Sequence, residues 1–378
     1  MKLLYIAPRL HPNYKDSLLA FSKENNLEIL VAYTVAKDQN DGLSPSGFPD
    51  GIVSQLLTVW FRLKGLAPEK IAYRKRHPSL IWLVIYIYRH SIDAVYARRD
   101  NKHLLRTARL AAILTGRRFL TYRQQIYDPS IGVDHNAIYP LSTTSSANSL
   151  PVNFIPLSID LSRLPISSSL EAYYPNSGQP LRVMAVGKLI ERKGHHLLIE
   201  AVARLKSRVP VVLSIYGAYS DFHAKEFGHT ISQMIVDYNL QDCVKLMPMI
   251  EPDQMLKEYS NHHLFVYSGW VSDKRDLDEE TYMRANGRCG TRLNSLIEAM
   301  ACGLPVICAS EKHVVGAIEN GVNGLIFEKK DANDLAKKIE KIAQMNLTEM
   351  GGKSKILVEK YYKASDFPVR FLQLLKDS

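Results

Sequence analysis

The stretch VMAVGKLIERKGHHLLIEA, residues 183–201, decides the architecture. An apolar run ends in Gly187, a short basic loop follows, and a helical pattern opens near His195. A buried strand, a glycine turn and a helix in that order are one repeat of an α/β domain. Lys188 and Lys193 stand five residues apart across the loop. Both can converge on one anionic group, with amides at the helix start adding to the field. A solvated basic loop would carry the same two lysines; the strand–glycine–loop–helix setting favours the anion site.

The same rhythm extends both ways. Upstream, KLLYIA and LEILVAYT read as strands around the helix SLLAFSKEN. A loop-rich patch at NDGLSPSGFPDG precedes a long helical region reaching about residue 90. IDAVYAR is a strand, KHLLRTARLAAILTG an amphipathic helix closed by Gly116, and RRFLTYR another strand. Residues 136–180, rich in Ser, Pro and Asn, read as a linker holding one short strand, NFIPL. Beyond it PVVLSIYG, KLMPM, HLFVYSG and PVICAS are strands, PDQMLKEYSN and NSLIEAMACG helices, and the tail EKYYKASDFPVRFLQLLKDS a last helical segment. Strands alternating with helices predict parallel, doubly wound sheets with ligands at the carboxyl ends of the strands. Two such domains facing a central cleft are expected: residues 1–155, with 355–378 packing back on them, and residues 156–354.

With 378 residues, 46% hydrophobic and 23% charged, the chain can bury two cores. Cys243, Cys289, Cys302 and Cys308 form no CxxC pair and have no metal-ligand spacing with the histidines, so they read as buried reduced thiols of a cytoplasmic protein. The first apolar run is too short for a signal-peptide core and fits a buried strand. SLIWLVIYIY, residues 79–88, is about half the length that crosses a bilayer. It suits a core-facing helix, and its basic flanks also suit a membrane surface. Net charge is +10, and between Arg62 and Arg123 15 Lys or Arg stand against only Glu69, Asp93 and Asp100. Such a block speaks of partners rather than fold. No nucleic-acid-binding motif accompanies it, so nucleic acid is not expected. Peripheral association with an anionic membrane at its inner face, or a phosphorylated lipid-linked acceptor, is.

A second motif is GTRLNSLIEAMACGLPVICAS, residues 290–310. Its helix ends at Gly303 and leads through Pro305 into a buried strand. Leu293, Asn294 and Ser295 would offer the free amides of a helix start, a second anion site. Glu298, one turn in, has two readings. Ser295-x-x-Glu298 spells a capping box, in which the carboxylate caps its own helix. Alternatively, Glu298 is a bidentate acceptor for the two hydroxyls of a ribose.

These blocks in this order, GKLIERKGHHLLIEA, then NSLIEAMACGLPVICAS, then ENGVNGLIF and DANDLAKKI, resemble the donor-binding domain of retaining glycosyltransferases of family 4, with the GT-B fold. NFIPLSIDLSRL is similar to that family's interdomain strand. The resemblance covers roughly residues 150–340; the first half matches only in rhythm. It implies transfer of a sugar from a nucleotide diphosphate donor, UDP- or GDP-linked, to a glycan or lipid-linked acceptor, in surface polysaccharide or lipopolysaccharide assembly. Gly187, Lys188 and Lys193 would hold the donor diphosphate, where negative charge grows as the bond to the sugar breaks. Lys188 stands where the family usually has Arg, which keeps the charge but loses the bidentate fork. Glu298 would bind the ribose, and Asn294, Ser295 and Leu296 would keep the phosphate-facing helix start. Lys188, Lys193 and Glu298 are therefore the catalytic candidates.

The chain departs from the pattern at Gly290, where the family's first glutamate contacts the donor sugar. The preceding segment is long and acidic. It holds Glu279 and Glu280, either of which can supply the lost carboxylate or simply belong to a solvated loop. In the N-terminal half, Arg9, His11, Arg98, Arg99 and Arg123 fall at predicted strand ends and suit an anionic acceptor or the donor phosphates. No DxD-like pair stands at a strand end. The resemblance thus implies no metal and no cofactor, the nucleotide-sugar being substrate. Two other functions compete: a binding or partner subunit that kept the fold without turnover, supported by Gly290, and a sugar-nucleotide epimerase. The epimerase would need carboxylates and a histidine for proton transfer, where the strand ends offer mainly arginines.

Overall fold

The computed structural model describes residues 1–7, 15–32, 71–74, 78–98, 102–122, 126–127, 137–138, 141–142, 155, 158–165, 173–174, 178–217, 222–270, 294–310 and 317–377. Two compact units emerge. Residues 1–144, 148–160 and 363–378 form the first, and residues 145–147 and 161–362 the second.

The first unit is built on a parallel sheet. Among the described residues its strands are β1 (Lys2–Ala7), β2 (Asn26–Ala32), β3 (Ile71–Arg74), β4 (Ala94–Arg98), β5 (Arg118–Tyr122) and β7 (Ala137–Ile138), in the order β3-β2-β1-β4-β5-β7. Two short strands, β6 (Ile126–Tyr127) and β8 (Leu141–Ser142), pair apart from it. Alternation along β1 explains the two-sided cover, since successive side chains of a strand leave on opposite faces. Leu3, Tyr5 and Ala7 enter one core with helix α1 (Lys15–Glu24) and the C-terminal helix α10 (Phe367–Asp377). There Phe371 meets Phe21 and Tyr96 edge-on at 5.5 and 5.2 Å. Leu4 and Ile6 enter the other core, with α2 (Leu80–Arg89) and α3 (Lys102–Leu114). Gly116 closes α3 in the left-handed conformation at φ 64°, as its place in the sequence predicts.

One expectation fails. The long helical region before residue 90 is interrupted: Ile71–Arg74 is an edge strand paired with β2, and α2 begins only at Leu80, after Pro78. A four-residue strand is too short to show a period of two. What makes it a strand is its pairing, Ile29 opposite Ile71 and Val31 opposite Tyr73.

The second unit repeats the plan. Its strands are β9 (Leu181–Val186), β10 (Val211–Tyr216), β11 (Val244–Met247), β12 (Leu264–Tyr267), β13 (Val306–Ala309) and β14 (Gly324–Phe327), in the order β11-β10-β9-β12-β13-β14, all parallel. Leu181, Val183 and Ala185 pack into one core with α4 (His195–Leu205), α5 (Phe222–Asp237) and α8 (Ala332–Ile342). α6 (Pro252–Tyr259) and α7 (Asn294–Ala301) take the other face, where Tyr259 stands edge-on to Phe265 at 5.9 Å. The strand order turns between β9 and β12. That reversal opens a crevice at the carboxyl ends of the strands, where open α/β sheets bind ligands.

The C-terminal tail is two helices rather than one. α9 (Leu347–Tyr361) packs on α7 in the second unit. A 3-10 turn, Ala364–Asp366, then leads to α10 in the first. Adjacent glycines in α9 have opposite surroundings. A Cβ on Gly351 would run into the carbonyl oxygen of Gly303, at the end of α7, whereas a Cβ on Gly352 would meet nothing within 4 Å. Gly351→Ala should therefore destabilise by about 2–3 kcal/mol. Gly352→Ala should stabilise by about 0.5–1 kcal/mol, because glycine in a helix interior loses more entropy than alanine. Urea unfolding of the two variants beside the parent checks both signs.

Candidate functional site

The carboxyl edge of the second sheet gathers the two motifs. β9 ends at Val186, and Gly187 continues the sheet by donating from its N–H to the carbonyl of Tyr216 at 3.0 Å. The chain then folds tightly. Ile190 N–H reaches the Lys188 carbonyl at 2.9 Å, and a single 3-10 turn, Glu191–Lys193, brings it to Gly194. Gly194 has φ 68°, and a Cβ there would strike the Ser268 carbonyl. Only glycine fits. The loop is pinned further to the end of β12: Ser268 Oγ donates to the Lys193 carbonyl at 3.0 Å, and Trp270 N–H to the Arg192 carbonyl at 3.0 Å.

This pinning decides where Lys193 goes. Its methylenes lie over Gly187, whose missing Cβ would sit 3.3 Å from Cδ. Its ammonium stands 5.6 Å above the Tyr267 ring. Lys188 is half-buried at the start of the same turn. Lys330 projects over Trp270 at 5.6 Å, adding a cation that the sequence did not single out.

His195 is the other residue missed. It is the first residue of α4, is 2% exposed, and neither ring nitrogen has a hydrogen-bond partner of sound geometry. Its Nε2 lies 3.5 Å from the place a Gly187 Cβ would take. Burial, and next the charge of Lys193, lower its pKa to about 4, against a weak opposite pull from the backbone of Gly187 and Lys188. The ring is neutral at pH 7. Its neighbour His196, edge-on to Phe227 and Trp270, is also lowered by burial.

At α7 the structure sets aside one reading of Glu298, the capping box. The helix begins at Asn294, so Ser295 is already inside it and does not occupy the cap position that a capping box requires. Glu298 Oε2 accepts instead from the Tyr259 hydroxyl at 3.2 Å. Tyr259 is fully buried, and burial, then the Glu298 charge, hold its pKa well above the usual phenol range. It stays protonated and donates. Cys302 beside it is pushed up to about 12, first by burial and then by Glu298, so it is an inert thiol. The amides of Asn294, Ser295 and Leu296 lie in the first turn, where helical N–H groups lack an acceptor within the helix. Leu296 itself is fully buried, its side chain in the core. Asn294 Oδ1 is buried without a partner.

Gly187, Lys188, Lys193, Asn294, Ser295, Leu296 and Glu298 thus all belong to the second unit, at the carboxyl edge of its sheet. Arg98 belongs to the first unit. It ends β4 as expected, but it is 1% exposed, with its guanidinium 5.7 Å over the Tyr122 ring. Arg9, His11, Arg99, Arg123, Glu279, Glu280, Gly290 and Leu293 lie outside the described residues. Among the described residues, no group of three or more His, Cys, Asp or Glu could hold a metal ion.

Residues 180–345 match the family Glycosyl transferases group 1. The match covers the second unit's sheet and both motifs. Amylovoran biosynthesis glycosyltransferase AmsK of Erwinia amylovora is 29% identical over 167 residues, 44% of this chain and 37% of that protein. Lipopolysaccharide core biosynthesis glycosyltransferase LpsE of Rhizobium meliloti is 27% identical over 168 residues, 43% of this chain and 40% of its own length. The matched stretch is thus well under half of either relative. The whole chain also superposes on Anabaena HepE, solved in complex with UDP and glucose, with a TM-score of 0.68, 16% identity and 100% of both chains covered. That likeness carries the fold, which is GT-B.

The neutral His195 has a consequence for stability. Its ordinary pKa of about 6.5 in the unfolded chain exceeds its folded value of about 4, so below pH 6.5 the unfolded state binds the extra proton. Stability is full above that pH and falls as the solution is acidified toward pH 4. The loss at pH 5 should be about 2 kcal/mol. His195→Gln should remove that share of the difference between urea unfolding curves at pH 7 and pH 5. An unchanged difference would show that His195 is not its source.

Proposed function

We propose that this chain is a retaining glycosyltransferase of family 4. It would transfer a sugar from a UDP- or GDP-linked donor to a glycan or lipid-linked acceptor, in the assembly of cell-surface polysaccharide or lipopolysaccharide. The observation that carries this reading is the joint placement of the pinned Gly187–Gly194 turn and the start of α7 at the reversal point of one sheet, within the stretch that matches the family. The names of AmsK and LpsE support the setting, and the UDP and glucose bound to HepE support the donor class.

The chemistry follows from what each group can do. When the bond between the sugar and the diphosphate breaks, charge accumulates on the departing phosphate oxygens. Lys188, Lys193 and the first-turn amides of α7 would meet that charge in fixed positions, which favours the transition state over the ground state. This reading requires no metal, and EDTA should leave turnover unchanged. Glu298 would accept from the ribose hydroxyls, with one oxygen already held by Tyr259. The first unit is left for the acceptor. The sugar itself would need a partner near Gly290, with Glu279 or Glu280 as the candidate.

Gly290 keeps a second reading in play, a subunit that binds nucleotide without turnover. Incubation with a panel of UDP- and GDP-sugars plus an acceptor mixture separates the two. Release of UDP or GDP from one donor, reduced about 100-fold or more in Lys193→Ala, supports the transferase. A raised melting temperature with UDP or GDP and no release from any donor supports the binding subunit. Absence of both would overturn the donor site.

Tyr259 gives a finer test. Tyr259→Phe removes one hydrogen bond to Glu298 and little volume. The KM for the donor should rise about 5-fold, the equivalent of one net hydrogen bond, with kcat nearly unchanged. A fall in kcat at constant KM would argue against the ribose role of Glu298.

A further inference from the structure

Helices α2 and α3 lie side by side on one face of the first sheet, sharing a core of Leu83, Ile87, Leu104, Ala108, Ala111 and Ala112 with β1 and β4. Their outer faces are unusual for a surface. On α2, Ile81, Ile85 and Tyr88 recur at spacings of four and three, opposite buried Leu83 and Ile87, and Ile81 is 74% exposed. On α3, Leu110, Ile113 and Leu114 are likewise at least half exposed, Ile113 by 62%. A helix apolar all round is normally buried on all sides, and six large apolar side chains on two adjacent helices are more than a scattered surface.

The helices themselves carry charge of one sign. Neither helix contains an Asp or Glu. Arg89, Arg106, Arg109 and Arg118 are exposed at the same helices and their ends, and none of them makes an ion pair among the described residues. No helix among the described residues is long and apolar enough to cross a membrane.

We propose that the outer face of α2 and α3 is a docking surface for an anionic lipid bilayer. Ile81, Ile85, Tyr88, Leu110, Ile113 and Leu114 would enter the headgroup–acyl boundary while the arginines take lipid phosphates. Charge complementarity selects this occupant. A second copy of the same face would set arginine against arginine, and a nucleic acid would leave the six apolar side chains uncovered. The inference goes beyond the donor reading and stands on the other unit, so either can fail without the other.

The test mixes the full chain with sedimentable vesicles of phosphatidylcholine alone or of equimolar phosphatidylcholine and phosphatidylglycerol. The chain should sediment with the mixed vesicles and much less with the neutral ones, and added salt should weaken the association. Ile85→Ser with Ile113→Ser should lower the partition coefficient about tenfold or more. Arg106→Gln with Arg109→Gln should lower it and flatten the salt dependence. All four positions are exposed, so the melting temperature should stay within the parent's range, and that measurement accompanies each variant. The proposal is overturned if the parent stays in the supernatant, if it binds both vesicles equally, or if the folded variants bind undiminished. It is also overturned if sedimentation equilibrium shows a dimer that the isoleucine substitutions dissociate.

Discussion

The backbone of Gly194 lies directly against the carbonyl of Ser268, and the site depends on that contact. It joins the loop after β9 to the end of β12, the two strands between which the sheet order turns. With no side chain at 194, the loop sits low enough for Ser268 Oγ and the Trp270 amide to hold it. Lys193 is then laid across Gly187 rather than left free in water. A long flexible side chain loses much of its entropy when it grips a ligand, and a lysine already packed on the sheet has lost part of it beforehand.

Burial does similar work at the neighbouring groups. Tyr259 is sealed beneath α7, so its hydroxyl stays protonated and has Glu298 as its acceptor. His195 is sealed beneath the loop and stays neutral, which avoids a third positive charge beside Lys193. The two effects share one cause: taking an ionisable group out of water disfavours its charged form. They leave an edge where Lys188 and Lys193 carry positive charge and Glu298 carries negative charge.

Much of this was legible because it is local. The strand–glycine–loop–helix repeat, the left-handed glycines at 116 and 303, and the starts of α4 and α7 are all spelled within a dozen residues. The failures have a common character. The four residues of β3 carry too little period to be read, and their strand character comes from β2, some forty residues away. Ser295-x-x-Glu298 spelled a capping box, but Ser295 already lies inside the helix and a tyrosine from another helix takes the carboxylate. Nothing local separates the two adjacent glycines of α9, and the packing of α7 makes them opposites.

By itself the sequence determined the α/β class and drew attention to Lys188, Lys193 and Glu298 as candidates, because those depend on hydrophobic period and on side-chain chemistry within short segments. Only the tertiary structure decided what those residues are attached to. Tyr259 reaches Glu298 across 39 positions, Ser268 reaches Lys193 across 75, and α2 and α3 turn their second apolar faces outward together. Such meetings are fixed by the order in which strands enter a sheet and by which helix covers which face. No local pattern records either, since any strand of the right period can pair with several others, and the whole core selects among them.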